Sequence, residues 1–479
     1  MRRSRWRSWL SVTLGLSLLI IGIVTYFGWR QSVPRVSVPS PEIPSLIGLK
    51  TPLSLTLQAS RGGVRSVELR LIQGTNRAVV ARKACSQPLE NQQRLQFTIE
   101  PRPLGLREGG AKLELYATDG FWRPLSFDDR PILTRAVTLD LTPPSLDLLA
   151  ATQYVSQGGG GVVAYRVKGS RRSGVNVGGV FFPGFPVGDP ESGNHAVLLA
   201  LPFDLPAGRH GSQPAISILL TARDEAGNVV SRSVPSTILP KKFPTAKVEV
   251  TQELLRRKLA ELLPERGEVP DDQLLSAFLT VNRDKRREAE EGKRQASTKS
   301  QPKPLWQGAF VQPRNTKVFS NFAERRSYRF RGQEVDSQVH MGYDLASVKE
   351  SVVPAANSGV VIFAAPLTIY GNTVMVDHGL GLATLYGHLS RIDVKVGDAV
   401  EKGALLGRTG STGLAIGDHL HYEVLIHGIP VSPLEWWDGR WIRDHIAKPL
   451  KEAGVALIQG DGAGEEPKSP QRPPGSRRP

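Results

Sequence analysis

Apolar residues along this chain fall into three rhythms. The first is unbroken: "WLSVTLGLSLLIIGIVTYFGW", residues 9–29, carries no charge. As a helix rising about 1.5 Å per residue, it is long enough for a hydrocarbon core of roughly 30 Å. The second rhythm has period two. In "RSVELRL" Val67, Leu69 and Leu71 share one face while Glu68 and Arg70 take the other, and in "KLELYATDG" Leu113, Leu115 and Ala117 repeat the pattern. "PAISILLTARDEAGN" continues it with Ile216, Ile218, Leu220 and Ala222. Such alternation predicts half-buried antiparallel strands. The third rhythm is helical. "TQELLRRKLAELL" sets Leu254, Leu255, Leu259 and Leu262 on one face, and "DDQLLSAFLTVNRDKRREAEEGKRQ" continues with strong helix formers. From Leu305 the strand pattern returns.

The predicted fold class is therefore mainly β, in a multidomain chain of 479 residues in which 48 glycines and 36 prolines punctuate short apolar runs. The pattern divides into a basic segment (1–8), an apolar anchor (9–29), a proline-rich spacer (30–45), two β-sandwich modules (46–143 and 144–240), a charged helical connector (241–304), a C-terminal β-sheet domain (305–445) and a disordered tail (446–479). The strand endings "YATDG" and "TARDEAGN" resemble each other, and Asp119 and Asp224 lie 105 residues apart, close to one sandwich of about 100 residues. The second ending also resembles the D-x-A-G-N turn of bacterial immunoglobulin-like modules, and a stalk is the simplest use for two of them. The spacer "VPRVSVPSPEIPS" should be semi-extended. The run "RDKRREAEEGKR" reads as a solvated face, the alternative being that the connector covers the last domain.

Charge and cysteine narrow the classes. The net charge is +16, which suits a membrane surface or an anionic polymer. It is not gathered on a recognition helix and no zinc-finger or RNA-binding signature occurs, so nucleic acid is not an expected partner. The single cysteine, Cys85, excludes an intrachain disulfide framework. Four arginines precede the apolar run and should stay in the cytoplasm, leaving the bulk of the chain outside. "TYFGWRQ" offers no small-x-small cleavage site, which favours an uncleaved anchor over a signal peptide. Trp6, Trp9, Tyr26 and Trp29 stand where interfacial aromatics belong.

Seven of the nine histidines follow Leu305. "VHMGYDLA" offers His340 and Asp344 at i and i+4, a spacing common by chance. "DHLHYEV" says more: on a strand His419 and His421 leave the same face with Cα atoms about 6.6 Å apart. Three protein ligands and one open position is the coordination of catalytic zinc, and His340, Asp344 and one of the two neighbouring histidines would supply it. His388, in "LYGHLS", sits at a turn able to overhang such a site. No His-Glu-x-x-His helix occurs, so the proton of a metal-bound water would go to an imidazole.

From about Leu305 to Trp441 the chain resembles the lysostaphin-type (LytM-like) zinc endopeptidases of the bacterial cell wall. The resemblance is carried in order by "HMGYDLA", "PAANSGVV", "YGNTVMVDHG", "LYGHLS", "VKVGDAVEKGALLGRTGSTG", "GDHLHYEV" and "VSPLEWW". It implies a β-sheet peptidase domain with one Zn2+, held by His340, Asp344 and His421, and with His388 and His419 as catalytic histidines whose separate roles the resemblance leaves open. It implies peptidoglycan peptides as substrates; with the N-terminal anchor, the expected place is the bacterial inner membrane, single-pass with the N-terminus inside, and a protein regulator is left open. One departure is "SNFAERRSY", where the family usually has glycine in place of Ala323. Non-catalytic relatives that activate other wall hydrolases, and an envelope scaffold built on the sandwich modules, are the competing classes; retention of all five positions argues against the first.

The other histidines have plainer readings. His378 shapes a turn beside two glycines, His195 and His210 are surface residues, and His445 falls past the match. His427, about 20 Å along an extended strand from His421, ends that strand. "VKVGDAVEKGALLG" also looks like a biotinyl or lipoyl carrier, but Lys402 is not at the exposed hairpin tip that modification requires.

Overall fold

A computed structural model describes residues 3–39, 42–85, 90–123, 130–205, 209–210, 213–214 and 216–454, without the side chains of 3–8, 10, 11, 209, 210, 213 and 214. The chain is mostly strand and divides into two compact units: residues 1–144 with 169–171 and 223–230, and the remainder.

The first unit opens with helix α1 (Arg3–Ser32), the one helix among the described residues long and apolar enough to cross a membrane. It is followed by a five-stranded sheet in the order Leu46–Ile47, Leu133–Leu139, Gly109–Asp119, Val64–Gln73, Asn76–Ala84, and by the antiparallel pair Thr51–Gln58 and Gln92–Ile99. The alternation places Val67, Leu69, Leu71, Leu113 and Leu115 in one core with Leu53, Leu55 and Leu57. On the outer face Glu68 pairs with Arg82 and Arg70 at 2.7 and 2.6 Å. The spacer is not free-standing: Val33 and Val36 are buried, and Ser37 exchanges backbone hydrogen bonds with Gln58. The D-x-A-G-N turn has a local cause. Asp224 Oδ1 accepts from the Asn228 backbone N–H and Asp224 Oδ2 from Asn228 Nδ2, both at 2.8 Å, a side-chain lock of the Asx type.

The second unit includes a four-stranded sheet ordered Phe185–Pro186, Asn194–Ala200, Gly160–Lys168, Ser145–Ala151. Beyond it lies a wholly antiparallel sheet of eight strands. Its order is Lys317–Ser320, Tyr343–Ala346, Leu420–Ile426, Leu382–Leu389, Asn372–Gly379, Gly359–Pro366, Ala399–Val400, with Ile429–Val431 also on Leu420–Ile426.

The connector forms α2 (Gln252–Leu262), α3 (Leu274–Leu279) and α4 (Arg286–Ala296). These helices do not stand apart. Leu255, Leu259, Phe278, Val281 and Ala289 share one core with Ile369, Tyr370, Met375, Leu385 and Leu425 of the strand-rich region. The charge run is not solvated throughout either, because Lys293 is 0% exposed. The predicted tail needs a similar correction. A helix covers Lys448–Glu452 with Pro449 and Leu450 buried, so 446–454 are folded; 455–479 lie outside the described residues.

Specific contacts join the strands Gly160–Lys168 and Phe185–Pro186 to the C-terminal region. His427, with φ +50°, stacks on Phe185 at 5.8 Å, which keeps the imidazole of that strand end half-buried. Glu435 Oε2 accepts from the Gly160 N–H at 2.8 Å, and burial pushes its carboxyl up to about 7. Its ordinary value is 4.5, so across that window the folded chain keeps a proton that the unfolded chain has lost. Stability therefore falls as pH rises from the lower value to the higher. Thermal melts should show Glu435→Gln gaining on the parent at neutral pH and losing that advantage near pH ~4.5; a constant offset at all pH values would contradict the assignment.

Candidate metal centre and catalytic histidines

Antiparallel pairing assembles the site. Asp344 stands directly across from His421, and Gly387, next to His388, flanks His421 on the other side. The turn before Asp344 closes tightly on this strand. A Cβ at Gly342 would lie 2.4 Å from the Tyr422 carbonyl oxygen and 2.9 Å from His421 Nε2, so "HMGYD" needs its glycine for close approach.

Three buried atoms meet at one point. His340 Nε2 lies 3.0 Å from Asp344 Oδ1 and 3.0 Å from His421 Nδ1, and His421 Nδ1 lies 2.9 Å from Asp344 Oδ1. The outward ring nitrogens fix the tautomers, since a carbonyl or carboxylate oxygen only accepts. His340 Nδ1–H donates to the Asn321 carbonyl at 2.9 Å, and His421 Nε2–H to Glu423 Oε1 at 2.9 Å. His388 Nδ1–H donates to the Thr412 carbonyl and His419 Nδ1–H to the Gly417 carbonyl, each at 2.8 Å. Each of the four imidazoles therefore presents an unprotonated nitrogen inward.

Bare lone pairs this close repel unless a cation lies among them. A small tetrahedral cation with bonds of about 2.0–2.1 Å would set its ligand atoms about 3.3 Å apart, within a few tenths of an ångström of the observed triangle. His340, Asp344 and His421 thus fit a metal ion. The electrostatics agree. Burial opposes charge on Asp344, but the imidazoles that face it, His340 first and then His419 and His421, hold its carboxyl well below the usual range. Burial likewise opposes charge on His421, yet Asp344 and Glu423 together raise it, so the pocket attracts positive charge at that point.

His388 and His419 stand beside the triangle. Their ring centroids are 4.8 Å apart, and His419 Nε2 is 3.5 Å from Asp344 Oδ1. Phe319 meets the His419 ring edge-on at 5.3 Å. His388 has φ +62°, a left-handed conformation uncommon for any side chain but glycine; burial, with His419 and His421 facing it, keeps its pKa well below the ordinary value. The site opens into a groove of about 580 Å³, whose far wall includes Val250, Leu254, Leu255 and Phe278 of the connector.

The structure gathers all five predicted site residues and leaves His195, His378, His427 and His445 out; the side chain of His210 lies outside those described. His378 is buried between the Ser358 carbonyl and Thr384 Oγ1 at 2.7 and 2.8 Å, His195 is half-buried against Tyr165, and His445 stacks on Trp441.

Residues 338–433 match the family described as Peptidase family M23. This segment is an M23 peptidase domain. The chain is 38% identical over 117 residues to the DD-carboxypeptidase/endopeptidase Mpg of Neisseria meningitidis serogroup B, covering 24% of this chain and 27% of that one. It is 36% identical over 121 residues to the peptidoglycan DD-endopeptidase ShyA of Vibrio cholerae serotype O1, covering 25% and 27%. The chain thus spans about a quarter of the length of the curated relatives it matches. Among solved structures, the catalytic domain of lysostaphin from Staphylococcus simulans is 26% identical, covering 26% of this chain and 92% of that one with a TM-score of 0.22.

Several residues that no sequence motif marks as functional support the site. Arg326 Nη2 donates to Asp344 Oδ2 at 2.7 Å, and Glu423 accepts from His421. Glu423 was within reach of the period-two argument, being two residues from His421 on the same face. Arg326 was not, because only the folded sheet brings it near. Ala323 also lies nearer the site than its place in "SNFAERRSY" suggested. It has φ +57°, and its N–H donates to the His340 carbonyl two residues beyond the Asn321 carbonyl that orients the His340 ring. The family's glycine suits that conformation, so Ala323→Gly should stabilise the fold by about 1 kcal/mol in thermal or denaturant unfolding.

Proposed function

We propose that the chain is a membrane-anchored zinc endopeptidase that hydrolyses peptide bonds in peptidoglycan. The observation that carries this reading is the triangle of His340 Nε2, Asp344 Oδ1 and His421 Nδ1, with edges of 2.9–3.0 Å. These three residues would hold the ion. When bound, Zn2+ lowers the pKa of its water toward about 7 and polarises the scissile carbonyl.

The chain's own groups do the rest. The unprotonated Nε2 atoms of His388 and His419 are the acceptors available for the proton of the attacking water. Their Nδ1–H groups are tied to the Thr412 and Gly417 carbonyls, which keeps both rings aimed inward. The ring that takes the proton becomes a donor for the leaving amine, and its neighbour can hydrogen-bond the developing oxyanion. Burial, with His419 and His421 facing it, keeps the His388 ring neutral before the reaction.

Substrate class comes from the relatives, whose names specify peptidoglycan DD-endopeptidase activity. The apolar helix α1 and the arginines ahead of it favour an inner-membrane anchor with the enzyme outside, and a charge of +16 favours an anionic polymer. The two upstream strand-rich regions serve as immunoglobulin-like spacers between anchor and enzyme. A non-catalytic activator is disfavoured because all five positions are present.

The full-length protein, detergent-solubilised and zinc-loaded, should release peptides from purified peptidoglycan, read by mass analysis; intact sacculi would overturn the reading. His421→Ala should lose zinc and activity together. His419→Ala should keep zinc and lose turnover by a factor of about 10²–10⁴, and loss of zinc there would reverse the assignment of the pair.

A further inference from the structure

We infer that Lys293, outside the M23 segment, is a positioning residue that orients the metal ligand His421 through Glu423. The inference rests on the metal-site reading above and extends the site into the connector.

Lys293 lies on α4 and is 0% exposed, as is Glu423. Its ammonium donates to Glu423 Oε2 at 2.8 Å and Oε1 at 3.1 Å, and to the Tyr370 hydroxyl oxygen at 2.9 Å, and it pairs with Glu290 Oε2 at 2.9 Å. Three N–H protons face three acceptor groups, so the ammonium is saturated and has no freedom to turn. Glu423 is gripped at both oxygens, and Oε1 is the atom that accepts from His421 Nε2–H. The carboxylate plane is thereby fixed, and with it the ring that points Nδ1 at Asp344 and His340.

Tyr370 flanks the same ring and keeps a seat of its own on Glu290. Its hydroxyl donates to Glu290 Oε1 at 2.8 Å and accepts from Lys293, while its ring lies against His421 at a centroid distance of 5.0 Å. His421 is therefore held at its outer nitrogen by Glu423 and on its side by Tyr370, and Lys293 bonds to both. A buried ion pair serving stability alone has no need to end on the outer nitrogen of a metal ligand. Partners of this kind set ring orientation and ligand strength, and their loss costs about 10–100-fold in metal affinity.

The test is zinc affinity of the detergent-solubilised full chain, by competition with a chelator. Lys293→Met should weaken zinc binding by about 10–100-fold, as should Glu423→Gln. The double variant removes both buried charges, so it should recover the unfolding midpoint that Lys293→Met loses. Its zinc affinity should equal that of Glu423→Gln alone, because Lys293 acts through Glu423. Parental affinity in a folded Lys293→Met protein would overturn the inference, and so would two losses that multiply in the double variant. Should Lys293→Met not fold, the comparison of the double variant with Glu423→Gln still decides. Failure of the parent chain to bind zinc would instead remove the metal-site reading.

Discussion

Three buried acceptor atoms within 3.0 Å of one another are an arrangement no fold adopts for its own stability. Two imidazole lone pairs and a carboxylate repel at that distance, and burial denies them water. The surrounding structure has to impose the geometry, and each outward atom has a fixed partner that does so. Asn321 holds His340, Glu423 holds His421, and Arg326 holds the second oxygen of Asp344. The sheet supplies the remainder through the cross-strand pair of Asp344 and His421 and the close turn at Gly342.

That support reaches well past the family segment. Arg326 precedes it, and Lys293 arrives from a helix some forty residues upstream. A fully buried carboxylate such as Glu423 is tolerable because an equally buried ammonium faces it; removing one partner of such a pair costs about 3–5 kcal/mol. The helix bearing Lys293 is in turn fixed by Ala289, buried in the same core as Leu385 and Leu425. Packing of apolar side chains, placement of one charge and orientation of one ligand are thus steps in a single chain of causes.

What the sequence disclosed, and what it concealed, follows from how local each cause is. Period-two alternation put Val67, Leu69 and Leu71 on one face because a strand's own geometry decides that. The five inward-facing site residues were legible because the motifs that carry them are short and ordered. Lys293 was misread as solvated, since a lysine among twelve mostly charged residues looks exposed until another element brings a buried glutamate to it. The stacking of His427 on Phe185 was hidden for the same reason, as both residues belong to unremarkable strand ends. The spacer looked extended because prolines mask its apolar residues, although Val33 and Val36 sit in the first unit's packing. Ala323 was visible as a departure from the family pattern, but its cost depends on a φ angle that no residue type announces.

The region that carries recognisable motifs is consequently smaller than the region that must fold to make them work. Residues 338–433 hold the five site residues. Without α4, however, Glu423 would be a buried charge lacking its cation, and Tyr370 would lose the partners that seat it against His421. Without α2 and α3 the groove would lose the wall formed by Leu254, Leu255 and Phe278, exposing apolar core to water at roughly 25 cal/mol per Å². Trp306 and Phe310 pack with Trp436 from the other side. The smallest piece that satisfies these requirements begins before α2, at the strand Thr245–Glu249, whose parallel pairing with Arg325–Phe330 helps to place Arg326 beside Asp344. The connector is a connector in sequence only; in physical terms it is half of the site's foundation.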